Sequence, residues 1–428
     1  MTLSWLSIFR LGLVQMCLGS IVVLTTSTLN RLMVVELALP AVLPGLLVGL
    51  HYGIQITRPT WGYRSDTGGN RTRWIIGGMA ALAVGGLGAA GGVLVLEHAF
   101  VTGLVISVFA YALIGIGVGA SGTSLLALLA TATARERRAA AATITWLTMI
   151  AGMAVTAGVA GAFLDPYTPA RLMAVVAVIT LGAVGVTILS VGRIERGITA
   201  RPDPAPMPFR KGMAEILAEP KARAFTLFVF LSMTAYFMQE LIMEPYAGLV
   251  FDYTPGQSTT LSGAQNGGVF LGMLTVGIAA TGLRIGLLRS WVIAGCVGSA
   301  AALSGIALLG QAGVGLLMPA VVLLGYFNGM FAVAAIGSMM ALADKGRGNR
   351  EGTRMGLWGA SQAMAAGFGG LVGAALADVL RLVVTAPAAF GTVFLIEAAL
   401  FVGAACMAWR IMDGRASAPV AAPVIAGE

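Results

Sequence analysis

The sequence predicts an all-α polytopic membrane protein of twelve spans, arranged as two six-helix halves. Three observations carry this: apolar runs of membrane-crossing length recur along the whole chain, basic residues segregate to alternate connections, and one long polar segment divides the chain in the middle. The composition is 58% hydrophobic and only 10% charged, against roughly 25% charged in a soluble domain. Such a chain cannot cover itself with polar surface in water. Each run is close to the roughly 20 residues that cross a bilayer core as a helix. In lipid every backbone N–H and C=O needs an internal partner, which leaves helices or a closed barrel. The runs are continuously apolar and do not alternate, so the barrel is excluded.

In order, the spans are read at 10–28, 39–57, 74–96, 102–128, 143–164, 171–191, 223–248, 261–282, 291–310, 315–342, 355–379 and 389–410. Of the 26 Lys and Arg residues, all but Arg31, Arg171 and Arg381 then fall on the side of the N-terminus. The positive-inside rule therefore places both termini in the cytoplasm. The net charge of +8 is a topology signal and needs no nucleic-acid partner. The 59 glycines sit mainly inside the apolar runs, as expected where small residues let membrane helices approach closely. Cys17, Cys296 and Cys406 lie within apolar runs, without CxxC spacing, and read as small buried hydrophobes. No cleavable signal peptide is expected, because the first apolar run reads as span 1.

The domain reading is a bundle over 1–191, a cytoplasmic central loop over 192–222, a second bundle over 223–411 and a disordered cytoplasmic tail over 412–428. Residues 212–219 of the central loop read as a short amphipathic surface helix, after a Pro-rich stretch from Pro202 to Pro208. A weak internal repeat supports the division. An offset of 212 places Arg135 on Arg347, Arg138 on Arg350, Trp146 on Trp358, Gly117 on Gly329 and Gly158 on Gly370.

The connection after span 2 carries Gly62, Asp66, Gly69 and Arg71 in the spacing GxxxDxxGxR, with Thr67 where a basic residue usually follows the Asp. It resembles the signature loop of the major facilitator superfamily. With twelve spans in a 6+6 pseudo-repeat, the resemblance implies the major facilitator fold.

Ionisable groups inside spans are costly and commonly mark function. His51 lies about 12 residues into span 2, with Gln55 and Arg58 following on the same helical face. Neutral imidazole is a common axial metal ligand; a histidine hydrogen-bonded between helices is the other reading. Gln239, Glu240 and Glu244 lie near the outer end of span 7, ahead of Pro245. Two carboxylates so close in low dielectric should not both ionise without a cation. Arg31, just beyond span 1, is the expected partner, since spans 1 and 7 are pseudo-equivalent in the facilitator architecture. Glu244 standing in water at the interface is the alternative. Glu397 is a further buried acid with no evident partner, and Asp378 falls near the outer end of span 11. Gln15, Gln265, Asn266, Asn328 and Gln362 read either as cavity lining or as interhelical hydrogen-bonding groups.

Four segments together carry a narrower resemblance: Leu29-Asn-Arg-Leu-Met-Val-Val-Glu36, Leu50-His51-Tyr52, Gln239-Glu240-Leu-Ile-Met-Glu244-Pro-Tyr246, and Met355-Gly-Leu-Trp358-Gly-Ala-Ser-Gln362. They are similar to the PucC/LhaA, or bacteriochlorophyll delivery, family of phototrophic bacteria. The length and short tails are most similar to the branch named as a chain of bacteriochlorophyll synthase. The resemblance implies a pigment-handling assembly factor in the bacterial inner (intracytoplasmic photosynthetic) membrane. It would bind bacteriochlorophyll or a precursor during light-harvesting complex assembly or pigment synthesis. Besides membrane lipids, its expected partners are light-harvesting polypeptides, reaction-centre complexes or bacteriochlorophyll synthase. It further implies that His51, Tyr52 and Gln55 bind pigment, His51 as axial ligand to the magnesium. Arg31, Glu36, Gln239, Glu240, Glu244, Tyr246 and Gln362 become cavity or gating residues.

Two rival functions remain. A secondary transporter of a small organic solute would couple to protons through Glu240, Glu244 or Glu397. A prenyl-transferring enzyme would need clustered carboxylates to hold Mg²⁺ on a diphosphate. The sequence has no DDxxD-like cluster, P-loop or HExxH, so no catalysis and no free metal are expected.

Overall fold

Prolines and small polar caps set where most of the helices begin. In the computed structural model, the described residues are 3–58, 61, 70–133, 137–192, 194–195, 219–283, 285–344 and 351–412. Helix α1 runs Trp5–Glu36, starting where Ser4 accepts from the Ser7 N–H at 3.2 Å. It is followed by α2 (Val42–Thr57), then α3 (Arg71–Leu96), α4 (Phe100–Ala132), α5 (Arg138–Leu164) and α6 (Pro169–Val191). The second half holds α7 (Pro220–Phe251), α8 (Pro255–Val276, continuing through a π-helical turn Gly277–Gly282), α9 (Leu288–Ala312), α10 (Leu317–Asp344), α11 (Glu351–Arg381) and α12 (Ala386–Ile411). Proline stands in the first turn of α6, α7, α8 and α12, where its missing N–H costs nothing. At α8 Thr254 and Gln257 form a reciprocal capping box.

Among the described residues, ten helices are long and apolar enough to cross a membrane. The other two predicted spans differ for physical reasons. Helix α2 is apolar but short. Helix α8 has the length, but Gln257, Gln265, Asn266 and a run of Ser and Thr make it too polar; it begins at Pro255 and not at the expected 261, because the capping box starts it earlier.

Span 1 also departs from expectation. The helix does not stop at residue 28 but continues to Glu36 through two π-helical turns, Leu24–Thr28 and Leu32–Glu36. Asn30 and Arg31 are therefore inside the helix and buried, at 0% and 2% exposure. Leu29, Leu32, Met33 and Val34 supply the apolar surface that keeps the helix going. The widened second turn brings Glu36 within reach of Arg31, five positions back.

Each half has its own core. One cluster joins buried residues of α1–α6, including Ile21, Met79 and Tyr111; the other joins α7–α12 around Phe228, Phe331, Phe394 and Phe401. Backbones meet almost directly within each half. In α3 and α4 a Cβ on Gly117 would lie 2.6 Å from the Leu82 nitrogen. In α8 and α10 a Cβ on Gly272 would lie 2.0 Å from the Tyr326 oxygen, and one on Gly329 2.1 Å from the Val269 oxygen. Any side chain there would force the helices apart.

Both chain ends lie at one end of the bundle. The Leu3 N–H donates to the Ala132 carbonyl at 2.8 Å. The Arg137 guanidinium sits over Trp5 at 5.1 Å, and that of Arg289 over Trp409 at 4.7 Å. This end is called terminal and the opposite end distal. At the terminal end Glu195 covers the start of α3, accepting from the N–H groups of Arg71 (3.0 Å) and Thr72 (2.9 Å) and from the Thr72 hydroxyl (2.6 Å). A carboxylate on a helix N-terminus is favoured by unpaired N–H groups and by the helix dipole. Gly62, Asp66 and Gly69 of the signature loop, most of the Pro-rich central loop with the expected surface helix, Arg135, Arg347, Arg350 and the tail from 413 lie outside the described residues.

Candidate functional site

Several of the predicted polar residues, Arg31, Glu36, Tyr52, Glu240 and Glu244 among them, meet at the seam where α1 and α2 of one half face α7, α8 and α11 of the other. The seam is organised by one proline. Pro245 lies inside α7 and has no N–H for the Leu241 carbonyl one turn earlier. Asn30 of α1 supplies the missing donor: its amide Nδ2 reaches the Leu241 oxygen at 2.7 Å, across the two halves and fully buried. The Asn-Arg segment after residue 29 and the Glu-Pro-Tyr segment of α7 are therefore complementary parts of one contact.

The next residue continues it. Arg31 donates to the carboxylate of Glu36, to the Tyr253 carbonyl at 2.6 Å and to the Ser258 hydroxyl at 3.3 Å. It reaches past Gly248, where a Cβ would sit 3.3 Å from Nη2 and 3.0 Å from the Val35 side chain. The expected ion pair of Arg31 with Glu240 or Glu244 does not form. Arg31 lies near Glu244, but Glu36 and the two α7–α8 oxygens use its donors. Glu36 is 42% exposed, at the distal end of the seam.

Further cross-half contacts line the same distal portion. Ser27 and Ser262 hydroxyls bond at 2.9 Å, and those of Thr28 and Thr259 at 3.1 Å. Asp165, after α5, accepts from the Thr254 hydroxyl at 2.7 Å and from the Gly256 N–H at 3.3 Å. Asp378 of α11 accepts from the Val42 N–H at the start of α2, at 2.8 Å. Ser27, Thr28, Thr259, Ser262 and Asp165 were not singled out in the sequence. Isolated hydroxyls in apolar runs carry no signal of their own, although Thr254-Pro-Gly-Gln257 is a readable cap.

Toward the middle of the seam, Tyr52 of α2 donates to Glu240 Oε2 at 3.3 Å. Its ring meets Phe237 edge-on at 6.0 Å and His51 at 4.8 Å, and Gly367 of α11 packs against its Cβ. Thr26 of α1 lies beside Glu240. One turn along, Glu244 is 2% exposed, and neither of its oxygens has a hydrogen-bond partner. The reading that placed Glu244 in water is thus overturned. Gln239 is equally buried and its Oε1 is unpartnered. Gln362 is half-buried on α11, next to Ser361, which donates to the Thr226 carbonyl of α7 at 3.3 Å.

His51 is 2% exposed, and its hydrogen bond goes to Gln55 and not to Tyr52 or Glu240. Gln55 shares a 3.0 Å hydrogen bond with His51 Nε2, and Arg58 donates to the Gln55 oxygen. Arginine is a donor only, so the Gln55 amide nitrogen must donate to the ring. Nε2 is thereby the acceptor and the ring proton sits on Nδ1, which has no partner. An axial ligand to a pigment magnesium must offer a free lone pair on an open face. In this conformation the Nε2 lone pair is in use and the ring is enclosed, so His51 does not fit that role as it stands.

Tyr246 is packed in the core of the second half. Its hydroxyl donates to the Ile306 carbonyl of α9 at 2.7 Å, and its ring is packed among Phe251, Phe390 and Phe394. Gly310 makes room for it; a Cβ there would lie 2.1 Å from the hydroxyl. The aromatic contacts come from α12 and the carbonyl from α9, neither visible in the local sequence. Arg71 is buried, with its guanidinium on the Ala127 carbonyl of α4 at 3.2 Å. Asn328 accepts from Ser299 at 2.8 Å, joining α9 to α10. Glu397 is fully buried in α12 without a partner.

Comparison with known proteins fits this geometry. Solved structures of similar fold include a D-xylose-proton symporter (TM-score 0.73, 16% identical, 95% of this chain and 98% of that one). A bacterial homologue of the human lysosomal transporter Spinster, inward-facing and unoccupied, has a TM-score of 0.69 at 14% identity, over 95% and 96%. At such identities the likeness shows the fold alone, which is the major facilitator fold. In sequence the chain is 64% identical, over 100% of both chains, to the "Bacteriochlorophyll synthase 44.5 kDa chain" of Rhodobacter capsulatus. It is 27% identical to "Protein PucC" of Cereibacter sphaeroides, over 87% of this chain and 84% of that one. The family model described as PUCC protein matches residues 28–416, which contain the seam residues from Thr28 onward. The chain belongs to the PUCC protein family of multi-pass membrane proteins.

Proposed function

We propose that this protein is a membrane-embedded handling factor that binds bacteriochlorophyll or a precursor and delivers it during light-harvesting complex assembly or pigment synthesis. The observation that carries the reading is full-length similarity to a relative named for bacteriochlorophyll synthase, within the PUCC family. The seam supports it: Tyr52, Tyr236 and Phe237 gather beside a small number of polar groups, the aromatic surroundings with few polar handles that a large apolar cargo requires. Pigment is treated as cargo. His51 would serve as its magnesium ligand only in a conformation where Gln55 releases Nε2.

On this reading the protein accompanies a pigment enzyme, light-harvesting polypeptides or a reaction-centre complex and performs no catalysis itself. It resides in the inner, intracytoplasmic photosynthetic membrane with both termini in the cytoplasm, as the distribution of Lys and Arg supports. Purification in mild detergent from a pigment-producing cell, followed by an absorption spectrum, tests the proposal. Co-purified pigment, reduced at least several-fold in His51→Leu, supports both pigment handling and the histidine. Pigment unchanged in His51→Leu removes the histidine alone. Pigment-free protein that moves a soluble solute in liposomes would replace the proposal with the transporter reading.

A further inference from the structure

Among the described groups of the seam, Glu244 is the acid whose two oxygens both lack a hydrogen-bond partner. On α1 the nearby cation is Arg31, already paired with Glu36 and bonded to Tyr253 and Ser258. From α8 come the hydroxyls of Ser258, Thr259 and Ser262, none of them charged. On its own helix Glu240 stands one turn away, taken up with Tyr52 of α2 and beside Thr26. Asp165 of the first half accepts from Thr254 and Gly256, and Asp378 of α11 accepts from the Val42 N–H with Arg381 at 3.8 Å. The hydroxyls beside Glu244, Ser27 and Ser262, bond to each other. An ionised carboxylate enclosed at this depth, with its nearby cation paired elsewhere and no more than the one hydroxyl proton left over from the Ser27–Ser262 bond, is disfavoured.

We propose that Glu244 is a proton-binding site of the closed seam, and that its proton leaves when the distal contacts between the halves part. The geometry supplies the linkage. Ser27 belongs to one half and Ser262 to the other, so separating the halves breaks their bond and admits water to the carboxyl. The same movement withdraws Arg31 from Tyr253 and Ser258, so water entering between the halves solvates the charge released at Glu244. Closed protein therefore carries one more proton than open protein. By linkage, acid favours the closed seam and rising pH favours opening, with the open-to-closed ratio changing by up to about tenfold per pH unit. Glu397 is equally buried but lies in α12, packed on α7, α9 and α11 of its own half; its protonation is not tied to the seam.

This inference is independent of the pigment reading, and its test uses pigment-free full-length protein in lipid nanodiscs. Spin labels at Leu39→Cys and Leu382→Cys, on opposite halves at the distal end, report the seam in a background without native cysteines. Between about pH 5 and pH 9, the long-distance population is expected to grow in the parent protein. It should stay small at all pH values in Glu244→Gln, while Glu397→Gln keeps the parent response. The infrared carbonyl band of a protonated carboxylic acid should weaken as the seam opens. A parent protein whose distances do not respond to pH overturns the proposal without reference to any variant. A Glu244→Gln protein that keeps the full response overturns it too.

Discussion

The cross-half bond from Asn30 to the Leu241 carbonyl makes a sharp prediction, because its cause is the missing N–H of Pro245. Asn30→Ala leaves that carbonyl buried without a donor. An unsatisfied buried group costs about 1–3 kcal/mol, and hydrogen bonds between membrane helices average nearer about 0.6 kcal/mol with a maximum of about 1.7. With a 2.7 Å bond and a fully buried side chain, the expected loss is at the upper end, about 1.5 kcal/mol. Pro245→Ala restores an N–H at position 245, and the Leu241 carbonyl then has a partner within its own helix. In that background Asn30→Ala should cost several-fold less, leaving a coupling energy of about 1 kcal/mol. Equilibrium unfolding by SDS titration in mixed micelles, followed by tryptophan fluorescence, measures all four proteins. An Asn30→Ala cost that is the same in both backgrounds would refute the assignment of Asn30 as the replacement donor.

Two other predictions address the seal and the core. Arg31→Ala removes the donors that tie α1 to Tyr253 and Ser258, so a cysteine at the otherwise enclosed Thr259 should react with a water-soluble maleimide at least tenfold faster; unchanged reactivity would show that Arg31 does not hold the seam. Tyr246→Phe should cost about 1 kcal/mol through the lost bond to Ile306, and Gly310→Ala about 1–3 kcal/mol by pressing a methyl into the Tyr246 hydroxyl, both read as lowered Tm with pigment retention unaffected.

Much of the architecture is legible in the sequence because a bilayer imposes a length and a charge rule on every span. The division into halves follows from the polar centre, and Arg71 is already marked by its motif spacing. What escapes is long-range. Arg31 reads as lying just beyond span 1, since nothing nearby in the sequence announces the Tyr253 carbonyl or the Ser258 hydroxyl that let it remain inside. Its true ionic partner, Glu36, stands five residues away, but only a π-helical turn makes that spacing a contact. Glu244 and Pro245 read as a pair of signals, an acid and a helix breaker; that the proline selects Asn30 depends on which helices face each other. Tyr246 shares their segment, yet its rotation about α7 sends it to α9 and α12, and one position along a helix is enough to exchange a seam for a core.

Two of the close glycine contacts, α3 with α4 and α8 with α10, bear on the order of assembly. Helices α3 and α4 are consecutive, joined by the short turn around His98, so they can close as a hairpin soon after they leave the ribosome and enter the bilayer. Helices α8 and α10 are separated by the whole of α9. Their glycine faces stay uncovered until α10 is inserted, and nothing in the second half can settle around them before then. A chain truncated after α9 would therefore retain a folded first half and present an open groove on α8. Slow elongation between α9 and α10 would endanger the second half of the protein far more than the first.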